Sequence, residues 1–322
     1  MKKLFIILLA VISLTLTIGC STEDFPFNSQ PEHSKNALSY DVEFQNILHE
    51  IDSINVLYDK PSRGSFKNGF SVTVADNLGA LCGKGIGRWV GGAIGSLAGN
   101  PFTTAAGAII GSKVGPYVVG AVASGIANAL TSEVRLEQNK SLSVNYSFAF
   151  SDNINSQMDS IGYYHNLCMV QIQKNHSKYT TKGVVDTHMI YDDIVAYYKS
   201  IGIYDPILEN IEVKNFIVTE LTNMGKSSTQ CYLGKISENQ LIEIHTEYLK
   251  SKVGLTDEEI TIHKDFGTKI ALQCSRLEVK EIQNYAKDVN KVIETSKLNK
   301  ELKTELATNA QFIVNSSLCW QQ

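Results

Sequence analysis

The sequence predicts a mainly α protein: a glycine-spaced helical hairpin followed by a C-terminal α-helical domain, with one or two short β-strands flanking the hairpin. Three observations lead there. From about residue 153 to the end, apolar residues recur at three-and-four spacing between capping signals. Between Asp76 and Glu133 there is no acidic residue, and glycine falls at every fourth position over two stretches. On either side of that segment, Phe70, Val72 and Val74, and then Leu142, Val144, Tyr146, Phe148 and Phe150, alternate with polar or small neighbours, as half-buried strands do.

The first element is a signal peptide, residues 1–19. Lys2 and Lys3 precede an uncharged apolar run from Leu4 to Ile18 that is shorter than the roughly 20 residues a spanning helix needs. Gly19 places a small residue before Cys20. The run Leu16-Thr17-Ile18-Gly19-Cys20 resembles a lipobox, departing from it at Thr17, and the resemblance implies lipidation of Cys20. Ser21-Thr22-Glu23-Asp24 resembles the short acidic signal that certain Gram-negative gut anaerobes use to place lipoproteins on the outer leaflet. The expected location is therefore the outer membrane, lipid-anchored, at the cell surface, with the periplasmic face as the alternative.

Residues 20–40 read as a lipidated N-terminus and polar tether containing Pro31. Residues 41–75 follow as an amphipathic helix and a short strand. Phe44, Ile47, Ile51, Ile54 and Tyr58 share one face, and Pro61 stops the helix.

Residues 76–132 form the glycine segment. Gly79, Gly83, Gly87, Gly91, Gly95 and Gly99 keep an uninterrupted spacing of four, which resumes after Asn100-Pro101 with Gly107, Gly111 and Gly115. Six helical glycines cost about 6 kcal/mol relative to alanine, so close packing must offset them. Residues four apart line one ridge, here a flat groove that lets another backbone approach. Gly79 to Gly99 rises about 30 Å as a helix, enough to cross a bilayer. Asn100-Pro101 reads as the hairpin turn, and Gly115-Pro116 as a kink or break in the second half. Gly91-Gly92-Ala93-Ile94-Gly95-Ser96-Leu97-Ala98-Gly99 followed by Gly107-Ala108-Ile109-Ile110-Gly111 resembles the two-helix glycine zipper of small outer-membrane lipoproteins, and less closely the pore-forming peptides of bacteriocin systems. The resemblance implies close helix packing and membrane association, and no reaction. The alternative is a hairpin buried as soluble core.

The α-helical domain, residues 133–322, is read from its stripes and caps. Ile154, Met158, Ile161, His165, Cys168 and Ile172 lie on one face; Ile190, Ile194, Tyr197 and Ile201 form another ending at Gly202. Asp205-Pro206 reads as a helix start and Gly225 as its end. Ser237 with Gln240, and Thr256 with Glu259, have capping-box spacing. Ile282, Tyr285, Val289 and Val292 mark one more helix, and Leu298, Leu302 and Leu306 begin the last.

Chemistry is sparse. Gly79 to Gly85 is one residue short of a phosphate loop and ends in glycine where Ser or Thr is required. His188 and Asp192, one turn apart, read as a solvated pair. His165 sits on an apolar stripe, and Gly162-x-x-His165-Asn166 resembles a motif of uncharacterised secreted proteins from the same bacterial group. His165 and Asn166 are thus the candidate polar site, with Asp159, Cys168 and His176 the nearest partners in sequence and a hydrogen-bonded core histidine as the bland reading. No metal or cofactor motif is found. With 29 basic and 33 acidic residues the chain has no basic field for nucleic acid. Cys82, Cys168, Cys231, Cys274 and Cys319 read as buried thiols or one bridge. The expectation is a non-enzymatic protein partnered by the lipid bilayer, and by itself through the glycine groove. The alternatives are a pore-forming, bacteriocin-like toxin and a lipid-tethered surface binding module.

Overall fold

The computed structural model describes residues 33–59, 73–74, 101–132, 156–253 and 255–320, with side chains placed from Tyr117 onward in the glycine segment and from Gly162 onward in the helix that follows. The chain divides into two compact units, Met1–Val42 and Glu43–Gln322. Cys20 and the six glycines from Gly79 to Gly99 lie outside the described residues.

Helix α1, His33–Tyr58, starts within the stretch read as a polar tether and stops three residues before Pro61. In the second unit its Phe44, Ile47 and Ile51 are buried. Tyr58 donates from its hydroxyl to Asp288 at 2.8 Å, and the Tyr285 hydroxyl donates to Asn55 at 2.8 Å, so the end of α1 is tied to a helix more than 200 residues away in sequence.

The central element is α2, Pro101–Ser132. It begins at Pro101, the second residue of the expected hairpin turn, where the missing N–H costs nothing. Of the kink or break expected at Gly115-Pro116, the break does not occur, since the helix runs through it undivided. From Val118 to Thr131 every residue except Leu130 is buried. Helices α3 (Ser156–Lys174), α5 (Thr187–Ser200) and α6 (Ile211–Tyr232) enclose this half. Glycine permits the close approach: a Cβ at Gly125 would stand 3.0 Å from Ile190 and Ile194 of α5. One at Gly225 of α6 would stand 3.0 Å from Leu130 and 3.4 Å from the Ala127 Cα. Gly225 therefore packs against α2 instead of ending its helix. The stop is Gly234, at φ 69°, where Lys235 N–H bonds to the Gln230 carbonyl at 2.9 Å. The contacts also fix direction. Ser124 meets His165 and Asn128 meets Gln173, so α2 and α3 run parallel; Tyr117 meets Tyr198 while Gly125 meets Ile190, so α5 runs antiparallel.

Other caps follow the sequence closely. Gly202 at φ 80° ends α5. Asp205 caps a 3-10 turn, Pro206–Glu209, and Asn210 then caps α6, so one expected helix start resolves into two. Ser237 and Gln240 form a complete capping box on α7, Glu238–Tyr248, which continues as a π-helical turn to Val253. Helix α8, Asp257–Thr261, begins directly after Thr256. A second π-helical turn, Ile262–Gly267, leads into α9, Thr268–Cys274. In α10, Val279–Thr295, the apolar stripe Ile282, Tyr285, Val289 and Val292 is buried. Helix α11, Lys300–Trp320, is capped by the Asn299 side chain on Leu302 N–H, and packs on α3, α9 and α10.

Among the described residues two strands pair, at a place the alternating segments did not suggest. After the short α4, His176–Tyr179, Thr180–Thr181 and Val184–Val185 pair antiparallel. Lys182 at φ 52° and Gly183 at φ 78° make the two-residue turn with both central residues left-handed. Of the segments expected as strands, Thr73 and Val74 are helical, and the remainder lies outside the described residues. Cys168, Cys231, Cys274 and Cys319 are all buried, and none of the four is in a disulfide.

Candidate functional site

The Gly-x-x-His-Asn run occupies one turn of α3, and each of its three named residues meets a different demand. His165 points to α2: its Nε2 lies 2.7 Å from the Ser124 hydroxyl, and both residues are buried. Its Nδ1 lies 3.0 Å from Oδ1 of Asn166, whose Nδ2 donates to the Asn315 carbonyl of α11 at 3.1 Å. Because that amide nitrogen is the donor, Oδ1 must accept. In the neutral ring the His165 proton therefore sits on Nδ1, leaving Nε2 to accept from Ser124. Gly162, one turn before Asn166, supplies space: a Cβ there would fall 2.5 Å from the Asn315 side chain, whose Nδ2 donates to the Gln311 carbonyl at 3.0 Å. The His165 ring also packs on Phe312 with centroids 5.1 Å apart.

The motif is thus a clamp joining α2, α3 and α11, three helices that no short-range signal links. A further polar layer adjoins it. Asn128 donates to Gln173 at 2.8 Å between α2 and α3, and Thr73 lies 3.4 Å from Ser316 of α11. A buried hydrogen bond of this kind contributes about 1 kcal/mol, but leaving one partner bare costs about 1–3 kcal/mol, so the network chiefly penalises wrong packings.

Ser124, His165 and Asn166 stand in the relation of nucleophile, base and orienting group. Ser124 is 0% exposed, so in this arrangement no substrate carbonyl reaches its oxygen. What the cluster does here is close hydrogen bonds across three helices. Of the other candidate partners, Cys168 is buried on the same stripe, with its thiol pushed up by burial and by Asp193, while His176 lies beyond the end of α3. His188 is exposed, and Asp192 is taken by Lys214 at 2.6 Å instead of by His188. Among the described residues, no group of three or more His, Cys, Asp or Glu side chains is placed to hold a metal. Gly107, Gly111 and Gly115 lie on the backbone of α2, ahead of its buried half.

Ser124 and Asn315 were not singled out in the sequence. Two signals pointed to them: Ser124 and Asn128 put polar side chains one turn apart in an apolar run, and Asn315-Ser316-Ser317 interrupts the apolar pattern of the last helix.

A separate buried histidine lies in α7. His245 is 3% exposed and neither ring nitrogen has a well-formed hydrogen bond. Burial lowers its pKa to about 4, and the Met224 carbonyl opposes this only weakly. The turn from α6 to α7 carries an open depression beside Cys231 and Lys235, but Ser237 and Gln240 at its edge are occupied by their capping box.

No family model, no curated protein and no solved structure matches this chain.

Proposed function

We propose that the protein is a non-enzymatic, lipid-anchored module of the outer membrane, with its helical body facing the aqueous side. In this reading α2 has two roles. Its second half is the core around which α3, α5 and α6 assemble. Its first half, with the glycines that precede it, packs against the membrane or against a second copy. The observation that supports the reading is the burial of α2 from Val118 to Thr131, all but Leu130, which commits that part of the glycine segment to the body. Among the described residues no helix is long and apolar enough to cross a membrane, so the role given to α2 is surface packing.

The test is liposome flotation of the mature chain carrying Cys20→Ala, with and without residues 77–116. The deletion stops short of Tyr117 because removing Val118 to Thr131 would take out the core. Flotation of the complete chain alone supports the membrane role. If neither form floats and both remain monomeric, the glycine segment is core throughout, and the protein is a tethered binding module. Dye release from the same liposomes by the complete chain would favour the pore-forming alternative.

A further inference from the structure

Helix α7 is held to the body by little. Of its 11 residues only Leu241 and His245 are buried, whereas α10, with 17, buries seven. The hydrogen bonds of Ser237, Gln240 and Thr246 close within the element itself and would travel with it. Both of its ends can bend. The chain enters through exposed Leu233, Gly234 and Lys235, with Gly234 left-handed. It leaves through the π-helical turn Leu249–Val253, whose wider hydrogen-bond spacing interrupts the α ladder directly after the His245 carbonyl has accepted from Leu249.

One of the two anchors is ionisable. His245 lies against Met224 of α6, and neither ring nitrogen has a well-formed hydrogen bond. The Met224 carbonyl that faces it already accepts from the Ser228 hydroxyl at 3.3 Å. The charged and titratable groups of the elements packed around it supply no counter-charge: Glu220 and Lys226 on α6, Glu243, Glu247 and Tyr248 on α7, and Lys250 and Lys252 on the π turn leave burial as the dominant influence, which keeps the imidazole neutral down to about pH 4.

We propose that α7 is an acid-released flap: a proton taken up by His245 removes one of its two anchors, and the helix turns outward about Gly234 and the π turn while the rest of the body stays closed. A charged imidazole without a partner is costly in a buried site and is solvated once outside. The closed position disfavours the proton and the open one accepts it at the ordinary value of 6.5, so acid favours opening and neutral pH favours closure. By pH 4 the ratio of open to closed rises on the order of a hundredfold. Opening uncovers the last turn of α6, where Cys231, 6% exposed, lines one wall of a depression whose other wall is the first turn of α7, Glu238 to Gln240. The flap is independent of the membrane role proposed above.

The test is labelling of the full chain with a pyridyl disulfide, which reacts with thiols in acid, followed peptide by peptide by mass spectrometry from neutral pH down to about pH 4. Each rate is divided by that of the same thiol in the denatured chain at the same pH. The expected result is a rise of about a hundredfold at Cys231, with Cys168 and Cys274 unchanged, and its disappearance in His245→Leu. Leu241→Ala, which removes the other anchor, should raise Cys231 labelling already at neutral pH. Equal rises at Cys168, Cys274 and Cys231 show the whole body opening and overturn the flap, as does a flat Cys231 rate in the unsubstituted chain. A rise at Cys231 that persists in His245→Leu overturns the role given to His245.

Discussion

Replacing Gly162 by alanine sets two effects against each other, and the structure decides the sign. By helix propensity alone the change stabilises by about 1 kcal/mol, since glycine is a poor residue inside a helix. The new Cβ, however, would stand 2.5 Å from the Asn315 amide and 2.7 Å from its Cβ, which is not the free end of a flexible chain. Overpacking of this kind costs about 1–3 kcal/mol. Displacing Asn315 also breaks its bond to the Gln311 carbonyl and strands a buried amide, for about 1–3 kcal/mol more. The expected net effect is a loss of about 1–5 kcal/mol, and with a slope of about 2 kcal/mol per molar the urea midpoint falls by about 0.5–2.5 M. Urea titration followed by circular dichroism measures it. The Gly162→Ala/Asn315→Ala double variant should lose less than the two single losses added, by about 1–2 kcal/mol, because both remove the same contact. A raised midpoint in Gly162→Ala, or strict additivity in the double variant, would refute the clamp.

Three further outcomes are expected. His245 has a folded pKa near 4 against an ordinary value of 6.5, so between these the unfolded chain binds the extra proton. Stability is therefore complete above about pH 6.5 and declines by about 3 kcal/mol as the pH falls to 4; His245→Leu should flatten that part of a midpoint-against-pH plot, and an unchanged slope would show that the histidine is not the cause. Gly225→Leu should separate α6 from α2 and cost about 3 kcal/mol or more, or abolish folding, whereas Lys226→Leu beside it, on an exposed position, should be nearly neutral. The thiols of Cys168 and Cys274, buried with their pKa values raised (Cys274 to about 12), should resist a thiol reagent in the native chain and label on denaturation, as mass spectrometry of the peptides would record.

Local chemistry made much of the helical architecture legible. The stripe Ile282, Tyr285, Val289 and Val292, the Ser237–Gln240 box and the Gly202 stop depend on residues within a turn or two of one another, and each is present. Gly225 was misread for the converse reason. A glycine in a helical pattern means either a left-handed stop or a close neighbour, and only the neighbour, Ala127, nearly a hundred positions earlier, distinguishes them. The same limit hid the clamp. His165 was visible as a polar residue on an apolar stripe, but its partner Ser124 and the Asn315 carbonyl reached by Asn166 belong to segments whose pairing follows from the packing of whole helices. The Lys182-Gly183 turn is a local signal, yet strands of two residues are too short for alternation to register.

The clamp joins positions 124, 165 and 315, and α11 is buried from Ala310 to Cys319. A chain synthesised from its N-terminus accordingly has the keel of its core well before it has the residues that lock it. Until α11 is made, the Asn166 amide lacks its acceptor and the floor beneath His165 is missing, so premature closure gains little. Such a chain completes its core in a step that joins distant parts of the sequence, which slows folding. For the same reason, truncation before Ala310 would be felt at the centre of the body and not merely at its edge.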